Sequence, residues 1–267
     1  MLARERIPAA RERLRRLIEP VGSERVLDVG TGAGTLALAL APLVGEVVGL
    51  DLVPEMIAQA RRLLEAVSET TSETTSETTS EVTSETVSQA GTVTFVQGDA
   101  SRLSFESGSF DLVLTSRTIH HVKWPDIVVA EMTRVTRSRG RLLVVDQIAS
   151  ADPLEALAHN RIERLRDASH VRILSDQDFR LLFDANDLVL RRSEVEYEQV
   201  ELGPNLDLAG CTAEARKAVY AEVERLVSNG QTAGIALRRA NGDYALTRAV
   251  AWYLLVKPPP ASLTTAT

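Results

Sequence analysis

The chain has 267 residues, of which 44% are hydrophobic and 25% charged, as in ordinary soluble globular proteins. The 30 basic and 37 acidic residues give a net charge of -7, which disfavours a nucleic-acid partner, and the single cysteine excludes an internal disulfide and a multi-cysteine metal site. Since no apolar stretch is long enough to span a bilayer and no signal-peptide pattern is found, we expect a cytoplasmic protein without stable membrane insertion.

Predicted strands and helices alternate from residue 26 onward, a pattern typical of βα units around a mostly parallel sheet. An arginine-rich amphipathic helix precedes them. Strands are predicted over residues 25–29, 46–51, 92–97, 110–116, 141–148, 188–200 and 245–256. Helices are predicted over residues 35–43, 54–67, 153–167, 175–185 and 212–228, with Ser175 as the N-cap of the fourth. We therefore predict one α/β domain over residues 1–267, with a Rossmann-like, doubly wound, seven-stranded sheet, an antiparallel edge strand, and a helical cap from residues 151–187 and 205–230.

A tetrapeptide, SETT, is repeated with small changes over residues 68–87, which carry five glutamates and no basic residue. A polar, threonine-rich repeat buries too little apolar surface to offset the entropy lost on ordering. Glutamates four residues apart also repel one another in a helix. We therefore predict that residues 68–90 are a disordered insertion between a helix and the third strand.

The segment VLDVGTGAG, residues 26–34, combines the end of the first strand with closely spaced glycines and the start of a helix. Such a turn presents bare backbone and a helix N-terminus to a ligand at the carboxyl edge of the sheet. The dinucleotide fingerprint has glycine at its first, third and sixth positions. Here Gly30, Gly32 and Gly34 occupy the first, third and fifth positions, and Thr35 the sixth, which counts against NAD.

Acidic residues lie at or near the ends of three successive predicted strands. Asp51 ends the second strand about 20 residues after Gly30, where a carboxylate accepts ribose hydroxyls and repels a 2′-phosphate. Asp28 precedes the glycines and would face a cationic part of the ligand, and Asp99 or the amide of Ala100 could reach an adenine edge. The pattern favours a ligand with positive charge and hydroxyls but no phosphate, such as S-adenosylmethionine.

With these features the sequence resembles the class I S-adenosylmethionine-dependent methyltransferases, especially the small-molecule branch that includes the ubiquinone/menaquinone-biosynthesis methyltransferases. The resemblance lies in VLDVGTGAG, VVGLDLVPEMIAQAR, VTFVQGDASRLSFESGSFDLVLTSRTIHHV and EMTRVTRSRGRLLVVDQIA, which together span residues 26–149. It implies methyl transfer from S-adenosylmethionine to a small organic acceptor by in-line displacement. The implied cofactor contacts are Asp28, Gly30, Thr31, Gly32, Gly34, Asp51, Leu52, Asp99, Ala100 and Ser116.

Candidate groups for the chemistry follow the fourth strand in TSRTIHHVKWP, residues 115–125, a stretch that in the resembled family borders both methyl donor and acceptor. His120, His121 and His170 are the candidate bases, although each could instead have a packing role. We expect His120 and His121 to point in different directions, and His159 to be an exposed helix residue. No metal is expected, because adjacent histidines lack the spacing of a zinc site.

Two other functions share parts of this pattern. An NAD-dependent oxidoreductase would share the first strands and Asp51, but the glycine spacing disfavours it. A non-catalytic S-adenosylmethionine-binding module would keep the same pocket. Within the methyltransferase hypothesis, oxygen, carbon and nitrogen acceptors all remain open, as do a monomer and a homodimer.

Overall fold

The computed structural model describes residues 2–74 and 91–260. The helices are α1 Leu2–Ile18, α2 Thr35–Leu40, α3 Pro54–Thr74, α4 Pro125–Val135, α5 Pro153–Arg166, α6 Asp176–Asp184, α7 Leu202–Leu208 and α8 Ala213–Ser228. The strands are β1 Arg25–Val29, β2 Glu46–Asp51, β3 Thr92–Gln97, β4 Phe110–Ser116, β5 Thr136–Ile148, β6 Val189–Glu201, β7 Arg238–Ala240 and β8 Asp243–Val256. In the described residues, no helix combines the length and apolarity needed to cross a membrane.

The strands form a mostly parallel sheet with the hydrogen-bonded order β3-β2-β1-β4-β5-β8-β6, and β7 pairs with β8. The pairs β1/β2, β1/β4 and β2/β3 are parallel, whereas β7/β8 is antiparallel. The predicted α/β class and Rossmann-like sheet are confirmed. The predicted strand count is wrong, because the described part of the chain has eight strands rather than seven.

The extra strand, β7, forms a tight hairpin with β8. Ala240 pairs with Asp243, which leaves Asn241 and Gly242 as a two-residue turn with φ angles of 51° and 79°. Positive φ at both central positions defines the type I′ turn, for which Asn-Gly is the preferred sequence. The short strand has only three residues, so periodicity could not reveal it, but the Asn-Gly pair was a usable signal.

The described residues divide into two compact units. The first contains the described residues of Met1–Ser116, Ile127–Leu143 and Leu254–Thr267, and the second contains Arg117–Asp126 and Val144–Tyr253. The first unit therefore contains β1 to β4 with α1, α2 and α3. The second contains α5 to α8 with β6 and β7.

Burial on both faces explains why the first strand has an almost unbroken apolar sequence. Val26, Leu27 and Val29 of β1 are fully buried between parallel neighbours. Helix α1 instead has one apolar stripe, which packs against α2, while most of its charged residues stay exposed. The buried residues of α1 are Ile7, Leu14, Leu17 and Ile18.

Side-chain caps set the starts of the helices in the second unit. Ser175 and Asp178 form a capping box at α6, in which each side chain accepts a hydrogen bond from the other residue's backbone N–H at 3.1 Å. Asp152 caps α5 and Thr212 caps α8 through their side-chain oxygens. The predicted helices at these positions are confirmed to within a residue or two at their ends.

Four helical or extended segments differ from the sequence prediction. Helices α4 and α7 were not predicted, and β5 begins five residues earlier than expected, at Thr136 rather than residue 141. Helix α3 continues to Thr74, so the start of the repeat is helical where disorder was predicted. Residues 75–90 of that predicted insertion lie outside the described part of the chain.

Replacement of Gly34 by alanine is expected to destabilise the first unit through a steric clash. Gly34 has a φ of 82°, and a Cβ atom there would lie 2.8 Å from Cζ of Phe95 and 3.0 Å from Cβ of Ala60. Gly22 is the matched control, since it has a φ of 93° but a Cβ atom there would meet no other atom within 4 Å. Urea unfolding should show a loss for Gly34→Ala that exceeds the loss for Gly22→Ala by about 1–3 kcal/mol. Equal losses would contradict the packing role.

Candidate functional site

The glycine turn after β1 is held to β2 by backbone hydrogen bonds. The N–H groups of Gly30 and Thr31 both donate to the carbonyl of Leu50, at 2.8 and 2.9 Å. Gly30, Gly32 and Gly34 have φ angles of 71°, 54° and 82°, a region that glycine adopts without a steric penalty. The turn therefore requires glycine for its backbone path, before any ligand is considered.

The glycines of this turn have different surroundings. A Cβ atom on Gly34 would clash with Phe95, so this position serves helix packing. A Cβ atom on Gly32 would meet no atom within 4 Å, so the backbone there borders open space. Gly32 is thus a position at which a ligand can approach the main chain closely.

Asp51 connects this turn to the turn that follows β2. Its Oδ2 accepts a hydrogen bond from the N–H of Gly32 at 2.8 Å, and its Oδ1 accepts one from the N–H of Val53 at 3.0 Å. Each carboxylate oxygen has further lone pairs, so these bonds orient the group and leave it able to accept hydroxyl donors. Asp51 is half-buried at the predicted ribose position.

Asp28 is buried directly beneath the glycine turn, with a relative exposure of 2%. The hydroxyl of Thr31 donates to its Oδ2 at 2.7 Å. Burial raises the pKa of Asp28 to about 7; the hydrogen bond from Thr31 opposes this shift, and the negative charge of Asp51 adds to it. A cationic ligand group nearby would favour the ionised form of Asp28.

The remaining predicted cofactor contacts lie in the first unit at the ends of β2, β3 and β4. Asp99 is exposed, and its Oδ1 accepts from the hydroxyl and N–H of Ser101, which lower its pKa. The side chain of Leu52 is 63% exposed, which is a high exposure for an apolar residue. A flat ring could therefore cover it. Ala100 and Ser116 are half-buried.

In the second unit, His120 lies on a 3-10 turn, Ile119–His121, and contacts a buried carboxylate. Its Nδ1 lies 2.5 Å from Oδ1 of Asp146, which is fully buried on β5. The N–H of Gln147 also donates to that oxygen at 2.7 Å, and the N–H of His120 donates to Oδ2 at 3.3 Å. The carboxylate is therefore satisfied by neighbouring donors and fixes the orientation of the imidazole.

His121 is oriented by a second carboxylate, through a serine. Its Nδ1 lies 2.9 Å from Oγ of Ser169, and that hydroxyl donates to Oδ1 of Asp167 at 2.6 Å. Burial lowers the pKa of His121, and the charge on His120 lowers it further. Burial would raise the pKa of Asp167, but the hydrogen bonds from Ser169 outweigh this and lower it.

His170 is the third histidine in contact with this pair. Its Nε2 lies 2.9 Å from Oδ1 of Asn160, an oxygen that also accepts the N–H of Ile173 at 2.7 Å. Its Nδ1 is buried without a hydrogen-bond partner among the described residues. Burial lowers the pKa of His170 to about 4.

The rings of these residues form one group, called here the histidine cluster: His120, His121 and His170. The ring centroids of His120 and His121 are 4.2 Å apart, and those of His120 and His170 are 5.7 Å apart. The expectation that His120 and His121 diverge is therefore wrong, because the short 3-10 turn places their rings against each other. Within residues 2–74 and 91–260, no group of His, Cys, Asp and Glu has an arrangement that could hold a metal ion.

His159 is buried rather than exposed, with a relative exposure of 1%, so its predicted exposure is wrong. It lies on the inner face of α5 near Glu163, whose charge is balanced by Arg166 and Arg248. Burial lowers the pKa of His159 to about 4. Sequence reasoning also missed Asp146, although a carboxylate within the apolar run LLVVDQI was a usable signal.

Part of this chain is similar to known methyltransferases. Residues 27–144 match the family described as a methyltransferase domain. The uncharacterized methyltransferase YcgJ of Bacillus subtilis is 35% identical over 164 residues, which are 61% of this chain and 56% of that protein. A demethylmenaquinone methyltransferase of Parafrankia sp. is 48% identical over 122 residues, 46% of each chain. The chain thus spans about half the length of the curated relatives it matches.

The fold agrees with these matches. The crystal structure of the Bacillus subtilis YcgJ protein superposes with a TM-score of 0.80 and 26% identity, covering 94% of this chain and 98% of that one.

Asp28→Asn is expected to change the pH dependence of stability. The pKa of Asp28 is about 7 in the folded protein and 3.8 ordinarily. Its contribution to stability is therefore fully present below pH 3.8 and is lost as the pH rises through 7. Asparagine does not ionise. Between pH 4 and pH 7 the free energy of unfolding of the variant should therefore rise relative to that of the wild type, by at most about 4 kcal/mol. Urea unfolding at pH 4, 5.5 and 8 measures this difference. A difference that does not vary with pH would refute the raised pKa.

Proposed function

Residues 27–144 of this chain match a methyltransferase domain, and from that similarity we propose that the protein transfers a methyl group from S-adenosylmethionine to a small organic acceptor. The observation that carries the proposal is the hydrogen bond between the carboxylate of Asp51 and the N–H of Gly32. It holds the candidate ribose-binding acid against Gly32, whose backbone borders open space.

The residues of the first unit fit this cofactor by their chemistry. Asp51 would accept the two ribose hydroxyls, and the backbone at Gly32 would lie against the methionine part. Asp28 would offset the positive charge of the ammonium or sulfonium group. Leu52 would cover the adenine ring, and the segment Asp99–Ala100 would bind its edge.

The same chemistry disfavours a nicotinamide dinucleotide. A pyrophosphate binds to backbone donors of a glycine turn at a helix N-terminus. Here the buried Asp28 lies directly before the turn and would repel phosphate, whereas Asp51 would suit the ribose of either ligand. The side chain of Thr35 also occupies the position at which the dinucleotide fingerprint has its third glycine.

The donor supplies an activated methyl group on a positively charged sulfur. In-line displacement then requires that the protein hold the acceptor in position and exclude water. We assign acceptor binding to the histidine cluster, because its imidazoles are oriented by Asp146, Asp167 and Asn160 and are able to exchange protons. These oriented groups favour an enzyme over a non-catalytic binding module.

Asp51→Ala is expected to weaken S-adenosylmethionine binding by at least tenfold, because the two ribose hydroxyls lose a charged acceptor, at about 1.5–3 kcal/mol for a hydrogen bond to a charged group. Isothermal titration calorimetry measures the affinity. Glu55→Ala is the matched control, since it removes an exposed carboxylate four residues away in the first turn of α3.

The control should bind like the wild type, and circular dichroism should show that both variants are folded. An unchanged affinity of folded Asp51→Ala would exclude the ribose assignment. If neither the wild type nor the control binds S-adenosylmethionine, the proposed function itself is wrong.

A further inference from the structure

We infer that the free edge of strand β6 is an interface and that its partner is β6 of a second copy of this chain. In this dimer the two strands run antiparallel about a twofold axis at Ser193, and Arg192 of each copy lies opposite Glu194 of the other. The inference concerns assembly and does not depend on the proposed function. It is carried by the exposure of the strand and by the order of the charges along it.

Strand β6 is a long strand at one end of the sheet. Among the described strands it pairs with β8 alone, so its other edge leaves a row of backbone N–H and C=O groups without a strand partner. Proteins protect such edges with short strands, prolines or lysines. Here 13 residues follow one another without proline, glycine or lysine. The strand thus has the length and composition to pair with a further strand.

One face of β6 is exposed along its whole length and carries apolar side chains. Alternate residues of a strand share a face, and every odd-numbered residue from Val189 to Glu201 is exposed. Val189 and Val195 are each 44% exposed, and Tyr197 is 70% exposed. Valine and tyrosine stabilise a sheet by packing against side chains of the adjacent strand. This face therefore gains apolar contacts when a strand is added at the free edge.

The charges of β6 are separated along the strand. The basic residues come first, at Arg191 and Arg192. The acidic residues follow, and they are Glu194, Glu196, Glu198 and Glu201. Like charges directly opposite each other destabilise a strand pair, whereas opposite charges stabilise it. A parallel copy in register places like charges side by side, but an antiparallel copy brings the basic half of one strand against the acidic half of the other.

The register of the pair follows from the same charges. About a twofold axis, one residue lies opposite its own copy and its neighbours pair symmetrically around it. An axis at either arginine, at Glu194 or at Glu196 places a charge opposite itself. An axis at Val195 places Glu194 opposite Glu196, and an axis at Tyr197 places Glu196 opposite Glu198. Of the axes from residue 191 to residue 197, only the axis at Ser193 avoids directly opposed like charges.

The axis at Ser193 also covers the exposed apolar side chains. Residues 189–197 of each strand then lie opposite one another. Val189 of one copy pairs with Tyr197 of the other, an arrangement of aliphatic and aromatic side chains that stabilises neighbouring strands. Arg191 lies opposite Val195, where its aliphatic stem can cover the valine while the guanidinium stays in water.

On the other face of the strand, this register joins two existing ion pairs. Arg192 and Glu194 of one chain already lie 2.8 Å apart, and both side chains are partly exposed. Pairing about Ser193 adds the contact from each arginine to the glutamate of the second copy, which makes a network of four charges. Such a network contributes more than an isolated exposed pair. Glu198 lies beyond the paired residues and forms an ion pair with Arg117 of its own chain.

Sedimentation velocity of the full-length chain tests this interface. The wild type should form a dimer whose fraction rises with protein concentration. Arg192→Glu should raise the dissociation constant about tenfold or more, because both symmetry-related pairs become like charges. Lys217→Glu is the matched control, since it makes the same change of charge at an exposed residue of α8, and it should associate like the wild type. Circular dichroism should show that all three proteins are folded.

Exchange of the two charges tests the register. Glu194→Arg alone should weaken association as Arg192→Glu does, because it places arginines opposite each other. An equimolar mixture of the two single variants should form heterodimers, since every opposed pair is again complementary. The double variant Arg192→Glu/Glu194→Arg should recover the dimer for the same reason. An extended segment of another protein on this edge would show no such reciprocity.

Each outcome decides the inference. A wild type that is monomeric at every concentration, or that forms an assembly larger than a dimer, overturns it. A dimer that Arg192→Glu and Lys217→Glu weaken equally, or that neither variant weakens, has a different interface and also overturns it. Failure of the two single variants to associate with each other excludes the axis at Ser193.

Discussion

The hydrogen bond from the N–H of Gly32 to the carboxylate of Asp51 is the interaction on which the candidate site depends. Parallel pairing of β1 and β2 places their carboxyl ends at one edge, and this bond joins the two turns that leave that edge. The glycine turn then needs positive φ angles, which only glycine adopts at little cost. A ligand can therefore approach the main chain where side chains are absent.

Both units contain buried polar groups that an apolar core would avoid. Asp28 in the first unit, and Asp146, His120 and His170 in the second, are buried away from water. A buried group without a partner, such as Nδ1 of His170, costs about 1–3 kcal/mol. Local conflicts of this kind are expected at functional sites rather than in a purely structural interior.

Much of the fold could be predicted from the sequence, and the candidate cofactor residues could be named from it, because both depend on local patterns. The apolar run of β1, the glycine spacing and the acid that ends β2 are each visible within a few residues. The histidine cluster was predicted only in part. His120, His121 and His170 were named, but their partners Asp146, Asn160 and Ser169 come from other elements, and single-sequence periodicity cannot bring distant residues together.

Errors in the sequence prediction have the same physical origin. Burial of His159 depends on which face of α5 packs inward. Because polar residues lie on both faces of this helix, the sequence does not indicate which face is buried. Hairpin geometry fixes the short strand β7. Tertiary packing, rather than a long periodic signal, fixes the helices α4 and α7.

A crystal structure of the chain with bound S-adenosylhomocysteine tests the central claim most directly. We expect the ribose hydroxyls to lie within hydrogen-bond distance of the Asp51 carboxylate, and the amino-acid part of S-adenosylhomocysteine to lie along the backbone at Gly32. A nucleoside bound elsewhere, with Asp51 still bonded only to the N–H groups of Gly32 and Val53, would contradict it.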